Sequence, residues 1–383
     1  YLQLNATAET SSRFGKDAIN SIKAFGAPWT MFYGAQGAWV VSNESWMAGV
    51  EPIDYLRISA GYDVSGNDDI DYYAARSYFR AFKFMNSISG IAFDNIGNSE
   101  LQAEITRRFN VGLETNLLKN RLSIRLNGFF SNTDNLLTFQ SLGFLSGLEY
   151  NWSNGGALSN RGVDASVVGK LIAAKNFQWE MGVSAGHYKN KITRLADNKT
   201  FMDTQLYGAT IRTEVGQAAN LFYGYETEGV FATSEQAAES GLYILAENGV
   251  DKKPFGAGDV IFKDNHEDGA IDAKDMVVIG DPNPDIYGNL FSAMSYKRFR
   301  LDVNFNYSLG NDVYNYMRSQ LEGGNRFMNQ TTAMLHRWQA EGQQTTMPRA
   351  TFQDPMGNAR FSDRWIEDGS YLRLKSATLS YNL

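Results

Sequence analysis

The sequence predicts an all-β chain, the wall of a transmembrane antiparallel β-barrel with long loops on one rim. Three observations predict it. Apolar and polar residues alternate with a period of two over segments of ~9–12 residues, the length of a tilted membrane-crossing strand. Connections between these segments are short at one end and long at the other. Aromatic residues such as Phe177, Trp179 and Phe299 lie near the short-turn ends, where an interfacial girdle would sit.

The elements follow in order. At the start, Leu2, Leu4, Ala6 and Ala8 alternate with polar partners. "RRFNVGLETN" puts Phe109, Val111 and Leu113 on one face, and "RLSIRLNGFF" sets Leu122, Ile124 and Leu126 against Arg121, Ser123, Arg125 and Asn127. In "NFQWEMGVSAGH" the apolar row is Phe177, Trp179, Met181, Val183 and Ala185, with Glu180 opposite. In "FRLDVNFNYSLG" Phe299, Leu301, Val303, Phe305, Tyr307 and Leu309 oppose Arg300, Asp302, Asn304 and Asn306. "SYLRLKSATLSYNL" ends the sequence inside a strand-like pattern. Leu118-Lys119-Asn120, Ala173 to Asn176 and Lys297-Arg298 are the short turns; residues 132–160, 188–285 and 311–370 are the long connections. Within the last of these, Thr331 to Glu341 has helical spacing, with Met334, Leu335 and Trp338 on one face.

Composition narrows the classes. Apolar residues make up 43% of the 383, enough for a folded chain. There is no cysteine, so disulfides, thiolate metal sites and a cysteine nucleophile are excluded. A net charge of −7 with no Lys/Arg cluster argues against a nucleic-acid partner. No run approaches the ~18–20 apolar residues of a membrane-spanning helix. The seven prolines fall in turn-like stretches or at strand starts, where a missing N–H does no harm. His187, His266 and His336 are far apart, and no H-E-x-x-H, G-x-S-x-G or phosphate-loop pattern occurs, so catalysis is not expected. On alternation alone a second reading stays open: a secreted antiparallel sheet with one face on a core.

Several phrases together resemble the barrel of the SusC/RagA-type TonB-dependent transporters of Bacteroidetes outer membranes. They are "SSRFG" (11–15), "SNESWM" (42–47), "NRLSIRLNGFFSNTDNLL" (120–137), "GALSNRGVDASVVGKLI" (156–172), "FYGYETEGVFATSEQA" (222–237), "GDVIFKDNHEDGAIDAKDMVVIGDPNPDIYGNL" (258–290) and "DRWIEDGSYLRLKSATLSYNL" (363–383). The resemblance implies that residues 1–383 are the C-terminal portion, roughly half, of a barrel of about 22 strands. It places a plug domain and a TonB-contacting segment before Tyr1 and the closing strands after Leu383. An open half-barrel leaves edge N–H and C=O groups unpaired in hydrocarbon, so the rest of the barrel is an expected partner. The implied function is TonB-coupled import of oligosaccharides or oligopeptides across a Gram-negative outer membrane, with a SusD-like lipoprotein as lid. The rivals are a passive porin-like channel and the secreted glycan-binding sheet.

Two groups of residues carry candidate sites. "DNHEDGAIDAKD" in the 188–285 loop follows the calcium-loop pattern D-x-[DN]-x-[DN]-G-x₅-E in part. Asp264 is first, Asp268 and Gly269 fifth and sixth, the Ala270 carbonyl seventh, Asp272 ninth and Asp275 twelfth. His266 stands where the third oxygen ligand belongs, and the family's usual D-x-N-G-D-G-x-I-D is correspondingly degraded. The plainer alternative to Ca²⁺ is an acidic turn tied to its own backbone. In the 132–160 loop, Tyr150 and Trp152 are set to stack on sugar rings, to meet a partner, or to fill a loop core. Arg121, Arg125, Glu180, Arg300, Asp302, Asn304 and Asn306 are expected to face a wet lumen, keeping it hydrated or binding the plug.

Overall fold

The computed structural model describes residues 1–84, 87–141, 148 and 150–383. Ten strands follow one another in a single antiparallel sheet: β1 (Leu2–Glu9), β2 (Ala27–Val40), β3 (Ile53–Asn67), β4 (Glu104–Leu117), β5 (Leu122–Asp134), β6 (Ala157–Ala173), β7 (Phe177–Arg194), β8 (Ile286–Tyr296), β9 (Phe299–Leu309) and β10 (Tyr371–Tyr381). Each strand pairs with its neighbour in chain order, while β1 and β10 are the two edges. The sheet is therefore an open barrel wall.

The short turns are where alternation places them. Leu118, Lys119 and Asn120 all take left-handed φ values of 58–59° between β4 and β5. Three such residues in a row are costly unless the backbone is tied. Here the Leu118 N–H donates to the Pro52 carbonyl and the Asn120 N–H to the Asp54 carboxylate. At the next short turn the Ala174 N–H reaches the Phe177 carbonyl, and Lys297, with a φ of 53°, turns the chain from β8 to β9.

Two expectations are corrected. β6 and β7 are 17 and 18 residues long, well beyond the expected strand. They overshoot a hydrocarbon core that ~9–11 residues span, so the long connection begins after Arg194 rather than at 188. The predicted helix at Thr331 to Glu341 is only a 3-10 turn, Thr332–His336. Met334 is buried but Leu335 is 69% exposed, so no common apolar face exists. The helix in this connection lies earlier, at α1 (Tyr316–Glu322), which opens where the Asn315 side chain accepts the Arg318 N–H.

The outward row of the wall is apolar and uncovered. Val111, Leu126, Phe130, Val163 and Val183 are each 43–58% exposed, and Phe177, Trp179, Leu301 and Val303 are partly exposed. Among the described residues the buried clusters all lie in the loops or at the long-loop ends of β3 and β4. Among the described residues no second protein layer hides this row, so an apolar solvent is its natural surroundings.

Candidate functional surfaces

The opposite face of the wall is polar, and strand register makes it continuous. Arg57, Glu114, Arg125, Ser166, Ser184, Asn289, Asn306 and Arg373 pair in succession from β3 to β10. The Arg125 Nε donates to Glu114 at 3.0 Å, with Arg57 at 3.8 Å from the same carboxylate. The Asn289 amide donates to Asn306 at 3.1 Å. Further along the same face of β9, Arg300 holds Asp302 with two bonds of 2.8 Å, and Asn304 donates to Ser376 at 3.1 Å. Glu180 faces Lys170 across the β6–β7 pair. Six of the seven expected lumen-facing residues thus share this face. Arg121 does not lie on a strand: it sits in the β4–β5 turn, where its carbonyl accepts the Lys170 N–H.

Aromatic rings also lie on the polar face, which alternation alone does not foretell. Phe291 covers Gly182 and Tyr287 covers Gly186, each ring occupying the space a Cβ would need. Tyr188 meets Tyr287 edge-on at 5.9 Å. The readable signal was a glycine directly opposite each aromatic.

Above the wall, two long connections zip into one packed unit. Phe231, Phe255, Val260, Phe262 and Ile271 form its core, and Met356 of the other connection joins them. Arg349 grips the fully buried Asp259 with bonds of 2.9 and 2.8 Å, and Asn358 donates to the same carboxylate. Thr227 bonds Asp363 through both its amide and its hydroxyl. The Trp338 indole donates to the Ala232 carbonyl. Arg360 lies under Tyr225 and Phe262, 4.9 and 4.6 Å from the ring centres, and burial lowers its pKa. Arg364 is partly buried, and that burial together with nearby Arg318 lowers its pKa to about 10. It remains a cation at neutral pH, donating to the Asn358 carbonyl and lying 4.8 Å from the Trp365 ring.

The acidic loop belongs to this unit. Its carboxylates point at their own backbone: Asp264 accepts the Gly269 N–H at 2.6 Å, and Asp268 the Ala270 N–H at 2.9 Å. Asp272 caps Lys274, and the buried Asp275 accepts from His266 and Asp272. Partial burial pulls the Asp264 pKa up, but backbone donors led by Gly269 outweigh it and hold the carboxyl below its usual range. Among the described residues no three acidic or histidine side chains converge as a metal would require. The calcium expectation for Asp264, Asp268, Ala270, Asp272 and Asp275 draws no support from this arrangement; Asx-type bonding accounts for the loop. Trp152 packs partly buried against Ile70, Ala74, Ala75 and Leu101, as a loop-core aromatic does. The Tyr150 side chain lies outside the described residues.

An open antiparallel wall with one apolar and one charged face, crowned by packed long loops, defines a β-barrel membrane protein. Residues 33–383 match the TonB dependent receptor-like β-barrel family, and the chain belongs to it. It is 28% identical to TonB-dependent receptor P3 of Formosa agariphila over 90% of this chain and 34% of that protein. With TonB-dependent receptor SusC of Bacteroides thetaiotaomicron it shares 27% identity, over 97% of this chain and 35% of the relative. The chain spans about a third of the length of these relatives. The solved structure of the RagAB peptide transporter superposes with a TM-score of 0.79 at 22% identity, covering 100% of this chain and 39% of that one. The expected likeness to SusC- and RagA-type barrels, and to a portion of one, is borne out.

Proposed function

We propose that the protein carrying this chain is an outer-membrane importer of oligosaccharides or oligopeptides, driven through TonB and closed from outside by a SusD-like lipoprotein. The observation that supports it most is the division of the wall into an uncovered apolar face and a charged, hydrogen-bonded face, in a chain of the TonB-dependent receptor family. The apolar face holds the barrel in lipid. The polar row keeps the interior wet and offers hydrogen bonds to a plug. The long loops face the cell exterior, where the unit built on Phe231 and Phe262 forms a firm rim against which a lid closes. A name such as RagAB peptide transporter, given to a structural relative, makes peptide as reasonable a cargo class as sugar. Catalysis has no part in this reading, since the relatives are named receptors and transporters.

The test is uptake by cells expressing the full-length protein, with and without TonB, together with affinity purification from the outer membrane. Import that stops without TonB, and recovery of a surface lipoprotein with the barrel, are the expected results. Uptake indifferent to TonB, with no lipoprotein recovered, would sink the reading in favour of a passive pore. A protein monodisperse without detergent would instead restore the secreted sheet.

A further inference from the structure

β6 and β7 run past the apolar band, and what they carry there on the outward side is basic. Strand parity puts Val163, Arg161 and Ser159 on one face of β6, and Val183, His187, Lys189 and Lys191 on the same face of β7. Register sets Arg161 opposite Lys189 and Ser159 opposite Lys191. On the other flank Arg161 pairs with Phe130 and Ser159 with Asn132 of β5. Lys189 lies twelve residues beyond Phe177, the girdle position at the short-turn end. At ~3.3 Å per residue and a tilt of ~40°, that is about 40 Å along the strand and about 30 Å along the bilayer normal. An outward apolar band is ~25 Å tall, so the three cations stand just above it, at headgroup height on the long-loop side.

The arrangement is unfavourable as it stands. Like charges directly opposite across an antiparallel pair repel, and Arg161 and Lys189 are such a pair, with Lys191 two positions on. All three are exposed, and among the described residues no carboxylate, carbonyl or ring engages their side chains. On neighbouring β5, Asp134 is already held by Arg107. His187, one step nearer the band, is tied to the Asp285 carbonyl. Exposed Val163 lies just below Arg161 and exposed Phe130 beside it, so the apolar surface continues straight into the cluster. A solvated basic patch needs neither the direct pairing nor the apolar floor. An anion that carries acyl chains uses both.

We infer that Arg161, Lys189 and Lys191 bind the phosphate group of an anionic lipid in the outer leaflet, with its chains lying down the row headed by Val163. Arginine offers a planar fork that matches two phosphate oxygens, and the lysines add point charges on the same face. A phosphate between Arg161 and Lys189 replaces their repulsion by attraction to a shared counter-charge. Ser159 and Asn132, alongside on the same face, add hydrogen-bond donors. The inference rests on the apolar face being the lipid face, and is independent of cargo and of TonB.

The test uses the full-length protein in detergent, with retained lipid counted by native mass spectrometry. The probes are lipid A with two phosphates, its dephosphorylated form, and inorganic phosphate as competitor. Lipid A is expected to be retained about tenfold better than the dephosphorylated form. Arg161→Gln/Lys189→Gln/Lys191→Gln should lose that preference, whereas the charge-preserving Arg161→Lys/Lys189→Arg/Lys191→Arg should keep it within about threefold. Lys119→Gln/Lys175→Gln/Arg298→Gln removes as many charges from the exposed short turns and should retain lipid A like the parent. The compact, unheated gel band checks that each variant is folded. Equal retention of both lipids, equal loss in the two charge-removing variants, or displacement of lipid A by equimolar inorganic phosphate overturns the site. So does unchanged lipid retention with loss of a co-purifying lipoprotein, which would give the cluster to a protein partner. A barrel that needs detergent yet retains no lipid A fails this site alone, whereas a protein monodisperse without detergent fails the membrane reading as well.

Discussion

Asp259 has no exposed surface, and its two oxygens accept from Arg349, Asn358 and the Gly256 amide. It lies 90 positions from Arg349, and the bond joins the two long connections. Removing one partner of a buried pair leaves the other charge uncompensated, which costs about 3–5 kcal/mol, here toward the lower end because Arg349 is 37% exposed. Asp259→Asn in the full-length protein is therefore expected to loosen the surface unit by about 3 kcal/mol. Hydrogen exchange should show loss of protection at 225–275 and 338–365 while the wall strands keep theirs; unchanged exchange in both connections would refute it. The Asp264 carboxyl supplies a pH-dependent prediction. Its folded pKa is below the unfolded one, so its contribution is present above about pH 4 and is lost as pH falls through the folded value. Exchange of the 264–275 segment, corrected for intrinsic rate, should rise between pH 5 and 3. Asp264→Asn should abolish that dependence, and a wild-type loop equally protected at pH 3 would contradict the assignment.

At the scale of elements, what was legible in the sequence was local. Period two fixed which of Leu301 and Asp302 faces which side, and the short turns at 118–120 and 297–298 stood out because the strands beside them are so regular. Candidate side chains that depend on strand parity, such as Arg125, Arg300 and Asn306, followed from the same signal. Arg121 failed because parity holds only inside a strand, and the turn takes it. The helix at 331–341 failed for a different reason. Met334 is buried beside Gly324 and the Trp338 indole bonds the Ala232 carbonyl, so their spacing reflects neighbours in other segments and no shared helical face. The zipped surface unit was illegible for the same reason, being built from contacts such as Thr227–Asp363. Where an element depends on close packing, the structure is testable. A Cβ at Gly288 would fall on the Ser184 carbonyl, a backbone atom that cannot swing aside, whereas one at Gly37 meets nothing. Gly288→Ala should weaken the folded barrel by about 1–3 kcal/mol and Gly37→Ala should stay within ~0.5 kcal/mol. The fraction running as the compact, unheated gel band measures both, and equal effects would mean that β7 and β8 pack less closely than described.

For the whole molecule, the argument turns on what solvent meets each face of the wall, and neighbouring residues give opposite answers. Val183 and Ser184 are consecutive in β7; Val183 is 44% exposed on the apolar face, while Ser184 joins the polar row beside Ser166 and Asn289. Both lie in the central part of the strand, so depth in a bilayer is nearly the same for the two. An arginine on the lipid face near the midplane costs about 2–4 kcal/mol, because hydrocarbon gives the guanidinium neither water nor acceptors. On the wet face the same side chain reaches water and the carboxylates and amides of the polar row, leaving a surface-like change within ~0.5 kcal/mol. Val183→Arg is therefore expected to lower the urea midpoint of the full-length barrel in lipid vesicles, and Ser184→Arg to leave it nearly unchanged. In a water-exposed sheet both substitutions would be mild, and in a sandwich with a hidden core both the site and the size of the penalty would follow packing rather than lipid depth. A vesicle thickness series separates that last case: only a residue facing acyl chains becomes costlier as the bilayer thickens around it.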